Sequence, residues 1–186
     1  MFINTENLDQ KTDFLNGILN SLPSFNGLWF PEKIDKLPDS FFEEIGNLSF
    51  QQIAKVVLSN LLKEDVSSIV DKAFNFPVKL NSIENTNLHF LETFHGPTLT
   101  FKDFGARFMA TYLEEKLTDD QKYHVLVSTS GDTGSAIASA FYQKKNLTVN
   151  ILYPENRISR MQELQLTTYG ENVSSFGLDT SFDSCQ

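Results

Sequence analysis

Cysteine is nearly absent. Cys185 is the single copy, so no intrachain disulfide can form, and a reducing, cytoplasmic setting is expected. No basic block stands out either. With 15 Lys and Arg against 24 Asp and Glu, the net charge is -9. A nucleic-acid binder normally carries a basic patch, so that partner is not expected. No stretch approaches the ~20 apolar residues of a membrane span. Residues 1–10 lack the basic start and apolar run of a signal peptide, so no membrane role is expected. Without a secretion signal, the Asn-x-Ser/Thr triplets at Asn47, Asn146 and Asn172 carry no weight. Internal repeats and low-complexity segments are also missing. The acidic total still allows a small anionic ligand, because a local site can oppose the global charge.

What is present is core-forming material. The chain has 186 residues, 40% of them hydrophobic, with 17 Phe against one Trp. That profile fits a globular fold of one domain plus an extension, and so many aromatic rings need a core to bury them. Up to about residue 80 the pattern is helical. Ser49 and Gln52 form a capping-box pattern, and Phe50, Ile53, Ala54, Val57, Leu58, Leu61 and Leu62 repeat behind them at helical spacing. A second helix follows Asp65, with Val66, Ile69, Val70, Ala73 and Phe74 on one side, and Ser40 with Glu43 suits the cap of a short earlier helix. Pro23, Pro31 and Pro38 punctuate the segment before these.

The texture then changes. Strands are expected at residues 89–94, 125–129, 147–153 and 173–177. Helices are expected at 103–117, from 133 onward, and at 158–168. Strands alternating with helices imply right-handed crossovers and a parallel sheet. The reading is therefore an α/β fold preceded by a small, mainly helical domain. The boundary lies near residues 76–86 and is set at 1–82 and 83–186.

Two segments can carry chemistry. Residues 128–134 read Ser-Thr-Ser-Gly-Asp-Thr-Gly, leaving an apolar strand and entering a helix. Open α/β sheets bind ligands beyond the carboxyl ends of their strands. A helix start offers unpaired N–H groups and a positive dipole end. Gly131 and Gly134 let backbone approach a ligand, and Ser130 and Thr133 add hydroxyls. The same residues also suit a plain turn with Asp132 or Ser130 as N-cap. The pattern is neither a P-loop nor G-x-G-x-x-G.

In the second segment, residues 95–107, Lys102 sits where a loop hands over to a helix, among Leu99, Phe101 and Phe104. Desolvation disfavours an ammonium, and a neutral amine can form a Schiff base with an aldehyde cofactor. A solvated lysine beside an N-capping Asp103 is the commoner case. His95 reads as structural or catalytic, and Arg107 as facing an anion or pairing with an acid.

Together these segments resemble the bacterial-type threonine synthase family, in the fold-type II (tryptophan synthase β-like) group of pyridoxal-phosphate (PLP) enzymes. Residues 94–108 match that family's lysine segment nearly throughout, with Thr100 where Ala is common. Residues 129–134 match its substrate loop. Ala140-Phe141-Tyr142, Ile151-Leu152-Tyr153-Pro154, Ile158-Ser159, Gln162-Glu163, Phe182-Asp183 and Cys185-Gln186 follow in the family's order. Near the start, Gly27-Leu28 with Phe30-Pro31 resembles Gly-Gly-Leu-x-x-Pro, with Asn26 in place of the first Gly.

The resemblance implies conversion of O-phospho-L-homoserine and water to L-threonine and phosphate, with pyridoxal 5'-phosphate as cofactor. It assigns Lys102 to the cofactor's Schiff base, Asp132 to the neighbourhood of its phenolic oxygen, and Ser130, Gly131, Thr133 and Gly134 to the substrate carboxylate. No metal is implied. The alternatives are another fold-type II lyase, such as a phospho-amino-acid lyase or hydroxyamino-acid dehydratase, or a non-catalytic remnant acting as a binding module. Family members run to more than twice this length. The chain is thus expected to be an incomplete, N-terminal portion, inactive alone, with the cofactor-phosphate loop and pyridine partner downstream.

Overall fold

Ahead of the expected helices stands a sheet that the sequence pattern did not reveal. In the computed structural model, which describes residues 1–186 with the side chain of Phe25 left outside the description, β1 (Phe2–Asn4) pairs antiparallel with β2 (Asn7–Thr12). The short helix α1 (Phe14–Leu19) and then β3 (Trp29–Pro31) follow, giving the strand order β2-β1-β3. β1 and β3 have three residues each, too few for a period-2 signal, and β2 is mainly polar. Asn4, fully buried, organises the turn regions. Its amide donates to Gln10 Oε1 and to the Ser24 carbonyl, both at 2.8 Å, and its Oδ1 accepts the Glu6 N–H at 2.9 Å. A Cβ at Gly27 would stand 1.6 Å from Asn4 Oδ1, which explains the glycine there.

The helices are α2 (Asp39–Glu44), α3 (Phe50–Leu62) and α4 (Ser67–Ala73). Ser49 and Gln52 close both hydrogen bonds of the capping box on α3. Ser40 does not cap α2: that helix starts at Asp39 behind Pro38, with no side-chain cap. Val66, Ile69, Val70, Ala73 and Phe74 are all buried, as their spacing predicts, whereas on α3 only Ala54 is fully buried. The chain separates into two compact units, Met1–Asp71 and Lys72–Gln186.

The second unit opens with an antiparallel hairpin, β4 (Lys79–Ser82) with β5 (His89–Glu92). These strands flank the boundary read from the sequence, and both belong to this unit. The α/β series then runs α5 (Lys102–Lys116), β6 (Tyr123–Ser128), α6 (Asp132–Phe141), β7 (Leu147–Pro154), α7 (Arg160–Thr167), β8 (Val173–Leu178) and α8 (Phe182–Cys185). The strands form a parallel sheet of order β6-β7-β8. Leu147, Val149, Ile151 and Tyr153 alternate into the core along β7. Ala136, Ala138, Ala140 and Phe141 are buried on α6, and the three alanines let it pack closely on α5, α7 and β7.

Candidate active site

The site lies at the carboxyl end of β6, where the chain turns into α6. Thr129, 2% exposed, folds its hydroxyl oxygen back to accept the N–H groups of Gly131 (3.0 Å) and Gly134 (2.9 Å). Two loop amides are thereby engaged inside the loop. Those of Asp132 and Thr133 find no acceptor among the described residues, which leaves them, at the positive end of the helix, to an outside anion. Gly131 is the N-cap at φ +140°, a conformation that L side chains rarely adopt. Gly134 faces inward: an added Cβ would stand 2.4 Å from Thr129 Cγ2 and 2.8 Å from Leu166 Cδ2. Its contribution is to loop packing rather than to open backbone. Ser128, one residue before the loop, keeps a buried hydroxyl oxygen without a hydrogen-bond partner.

Lys102 begins α5, half-buried, with Nζ 4.3 Å from the centre of the Phe101 ring. The residue after it fixes the approach. Asp103 is 0% exposed and does not act as an N-cap. Its carboxylate instead accepts the Thr98 N–H at 2.9 Å and the Thr98 hydroxyl at 2.7 Å. Gly96 lies against it, where a Cβ would be 2.4 Å from Asp103 Oδ2. Leu99, between them, sits in the left-handed region at φ 59°. The loop before Lys102 is thus clamped from its C-terminal side, a role that sequence reasoning did not give to Asp103, Thr98 or Gly96.

Because α5 packs on α6, Lys102 and Thr133 line one cleft of about 350 Å³, walled by Phe101, Gly105, Ala106, Met109, Ala136 and Ile137. Ser130, Gly131, Asp132 and Gly134 are not among its lining residues. Ser130 is exposed at the loop tip, and Asp132 turns to α7, where Gln162 Nε2 donates to its Oδ1 at 2.9 Å. That partnership was also missed, because nothing in the sequence links residues 30 positions apart on different elements.

His95 pairs with Glu92, Nε2 to Oε2, at 2.5 Å. This hydrogen bond, with help from Asn81, holds the Glu92 carboxyl below its ordinary value against the opposing effect of desolvation. Arg107 neither faces an anion nor pairs with an acid through a hydrogen bond. Its guanidinium donates to the carbonyls of Ala73 (2.7 Å) and Lys72 (3.2 Å) and to Asn75 Oδ1 (2.8 Å). Burial lowers its pKa, opposed by the charge of Asp103. No helix among the described residues is long and apolar enough to cross a membrane.

Comparison with known proteins bears on the fold and the family. The family profile described as "Threonine synthase N terminus" matches residues 1–74. Among curated relatives, a threonine synthase from Buchnera aphidicola subsp. Schizaphis graminum is 37% identical over 98% of this chain and 44% of its own length. One from Escherichia coli K12 is 36% identical over the same shares. The chain therefore spans less than half the length of these relatives. Among solved structures, Escherichia coli threonine synthase superposes with a TM-score of 0.88 at 35% identity, covering 99% of this chain and 44% of that one. A PLP-bound threonine synthase from Brucella melitensis gives a TM-score of 0.86 at 25% identity, over 99% and 42%. The profile described as "Pyridoxal-phosphate dependent enzyme" matches residues 77–186, more than half of the chain, and the chain belongs to that family.

Proposed function

We propose that the protein carrying this chain is a threonine synthase, converting O-phospho-L-homoserine and water to L-threonine and phosphate, with pyridoxal 5'-phosphate held at Lys102. The observation that carries this reading is the shared cleft: the Lys102 amine from α5 and Thr133 at the start of α6 line one space of about 350 Å³. The residues present fit the aldehyde end of the cofactor. They offer a primary amine against an aromatic ring, with Ala106, Met109, Ala136 and Ile137 as apolar walls. When bound, the cofactor supplies an electron sink for carbanions on the substrate.

The chain's own residues do the positioning and the proton handling. Lys102 Nζ holds the cofactor and then carries the proton taken from the substrate Cα. The free amides of Asp132 and Thr133, with the hydroxyls of Ser130 and Thr133, take the substrate carboxylate. Gly131 and Gly134 give the loop its shape, and Asp132 is assigned to the cofactor's phenolic oxygen. The apolar walls Ala106, Met109, Ala136 and Ile137 lower the polarity around the reacting carbons.

The test is made on the complete protein. Threonine and phosphate should form from phosphohomoserine, and borohydride reduction should fix the cofactor to the peptide bearing Lys102. Lys102→Ala should abolish both the fixation and nearly all turnover. No turnover of phosphohomoserine, or fixation at another lysine, sinks the reading.

A further inference from the structure

We infer that Gln162 is a positioning residue, which aims Asp132 and fastens the 130–134 loop to the start of α7. Its carboxamide works in two directions. Nε2 donates to Asp132 Oδ1 at 2.9 Å. Oε1 accepts the Ser159 N–H at 3.2 Å and the Ser159 hydroxyl at 3.0 Å. The amide has one sensible orientation, because turning it over would set an oxygen against the Asp132 carboxylate and an N–H against the Ser159 N–H. Gly131 completes the arrangement. A Cβ there would stand 2.4 Å from Gln162 Nε2, so the missing side chain makes room for the carboxamide on the loop backbone.

Without this bond Asp132, exposed at the first position of α6, would be free to choose among rotamers. With it, the Oδ1 edge is committed to α7 and the carboxylate plane is set. The consequence for catalysis rests on the reading of this loop given above; the geometry does not.

The competing explanation is that Gln162 only completes the α7 capping box with Ser159. Gln162→Glu separates the two roles. Glutamate serves that box as well as glutamine, but it replaces the donor facing Asp132 with an acceptor, and like charges in hydrogen-bond reach repel. In the complete protein, the unfolding midpoint of Q162E should stay near that of the wild type. Amide exchange at the hydrogen-bonded Gly131, Gly134 and Ser135 should rise at least about tenfold, the scale of a lost charge-assisted hydrogen bond. The kcat/KM should fall about a hundredfold, as for a misplaced site group. The double variant D132N/Q162E restores a donor–acceptor pair with its direction reversed, and should return loop exchange towards wild type.

Unchanged exchange at Gly131, Gly134 and Ser135 in Q162E, or a double variant no better than the single one, overturns the inference. Exchange is read without substrate. If the wild type fails to convert phosphohomoserine while Q162E still loosens the loop, the functional reading falls and the positioning role stands.

Discussion

Removing the Thr98 hydroxyl should cost more when residue 103 is a carboxylate than when it is an amide. Asp103 is completely buried and is met by two donors from one residue, the Thr98 N–H at 2.9 Å and its hydroxyl at 2.7 Å. Hydrogen bonds to a charged group contribute about 1.5–3 kcal/mol each, and neutral ones about 0.5–1.5. Asp103→Ala would therefore strand both donors at ~3–6 kcal/mol, a large part of the ~5–15 kcal/mol that holds a domain together. The gentler cycle is more informative. Thr98→Val should cost about 2 kcal/mol in the wild type and about 1 in the D103N background, where the remaining bond is neutral. The coupling is then ~1 kcal/mol. Exchange of amides in residues 98–104, followed through a urea titration, reads local opening without requiring the whole protein to unfold in one step. Additive costs, within about 0.3 kcal/mol, would refute the clamp. So would a Thr98→Val cost below about 0.5 kcal/mol.

Gly131→Ala should lower kcat/KM about a hundredfold, because the new methyl is strained at φ +140° and meets Gln162 Nε2; wild-type kinetics would show that the loop yields freely. Arg107→Lys keeps the charge but not the fork across Lys72, Ala73 and Asn75, and should destabilise the second unit by ~1–3 kcal/mol in denaturant unfolding. The Glu92 carboxyl is held below its ordinary value of 4.5, chiefly by the hydrogen bond with His95. Its contribution is full above that value and is lost as pH falls through the lower folded one. Amide protection in the β4–β5 hairpin, taken relative to the unfolded rate at each pH, should thus fall with acid below pH 4.5, and Glu92→Gln should flatten that fall; parallel profiles would count against the pair. Leu99→Gly should relieve the left-handed φ of 59° and raise thermal stability by an amount worth ~1 kcal/mol, whereas a clear loss would mean that Leu99 is not strained.

The α/β half was legible because each of its elements carries its own period. β7 alternates from Leu147 to Ile151, α5 and α6 repeat at helical spacing, and the strand-to-helix turn at 128–134 is written mainly in small hydroxyl and glycine residues. Lys102 and the loop were likewise visible one by one. That Thr133 shares the cleft of Lys102 follows only once α5 packs on α6. Two kinds of feature stayed hidden. The strands β1, β3 and β4 have three or four residues each, too few for a period to emerge, and their pairing is decided by partners distant in sequence. Asp103 was misread for a different reason. Next to a helix start an aspartate reads as a cap, but this one turns back five residues to Thr98, a choice made by loop geometry rather than propensity. The same holds for Arg107, whose partners are carbonyls and an amide more than 30 residues away.

The cleft between α5 and α6 also has a place in translational time. Its lining begins at Phe101 and is complete at Ile137. A ribosome adding ~5–20 residues per second crosses that stretch in roughly 2–7 s. Contacts between helices so near in sequence form in microseconds to milliseconds, so the amine and the helix start can meet as soon as both emerge. The sheet beneath them comes later, since β7 and β8 are still to be made. Until β7 and β8 follow, Met109 and Ile137 border an open apolar mouth on a nascent chain, exposed surface of the kind that chaperones shield.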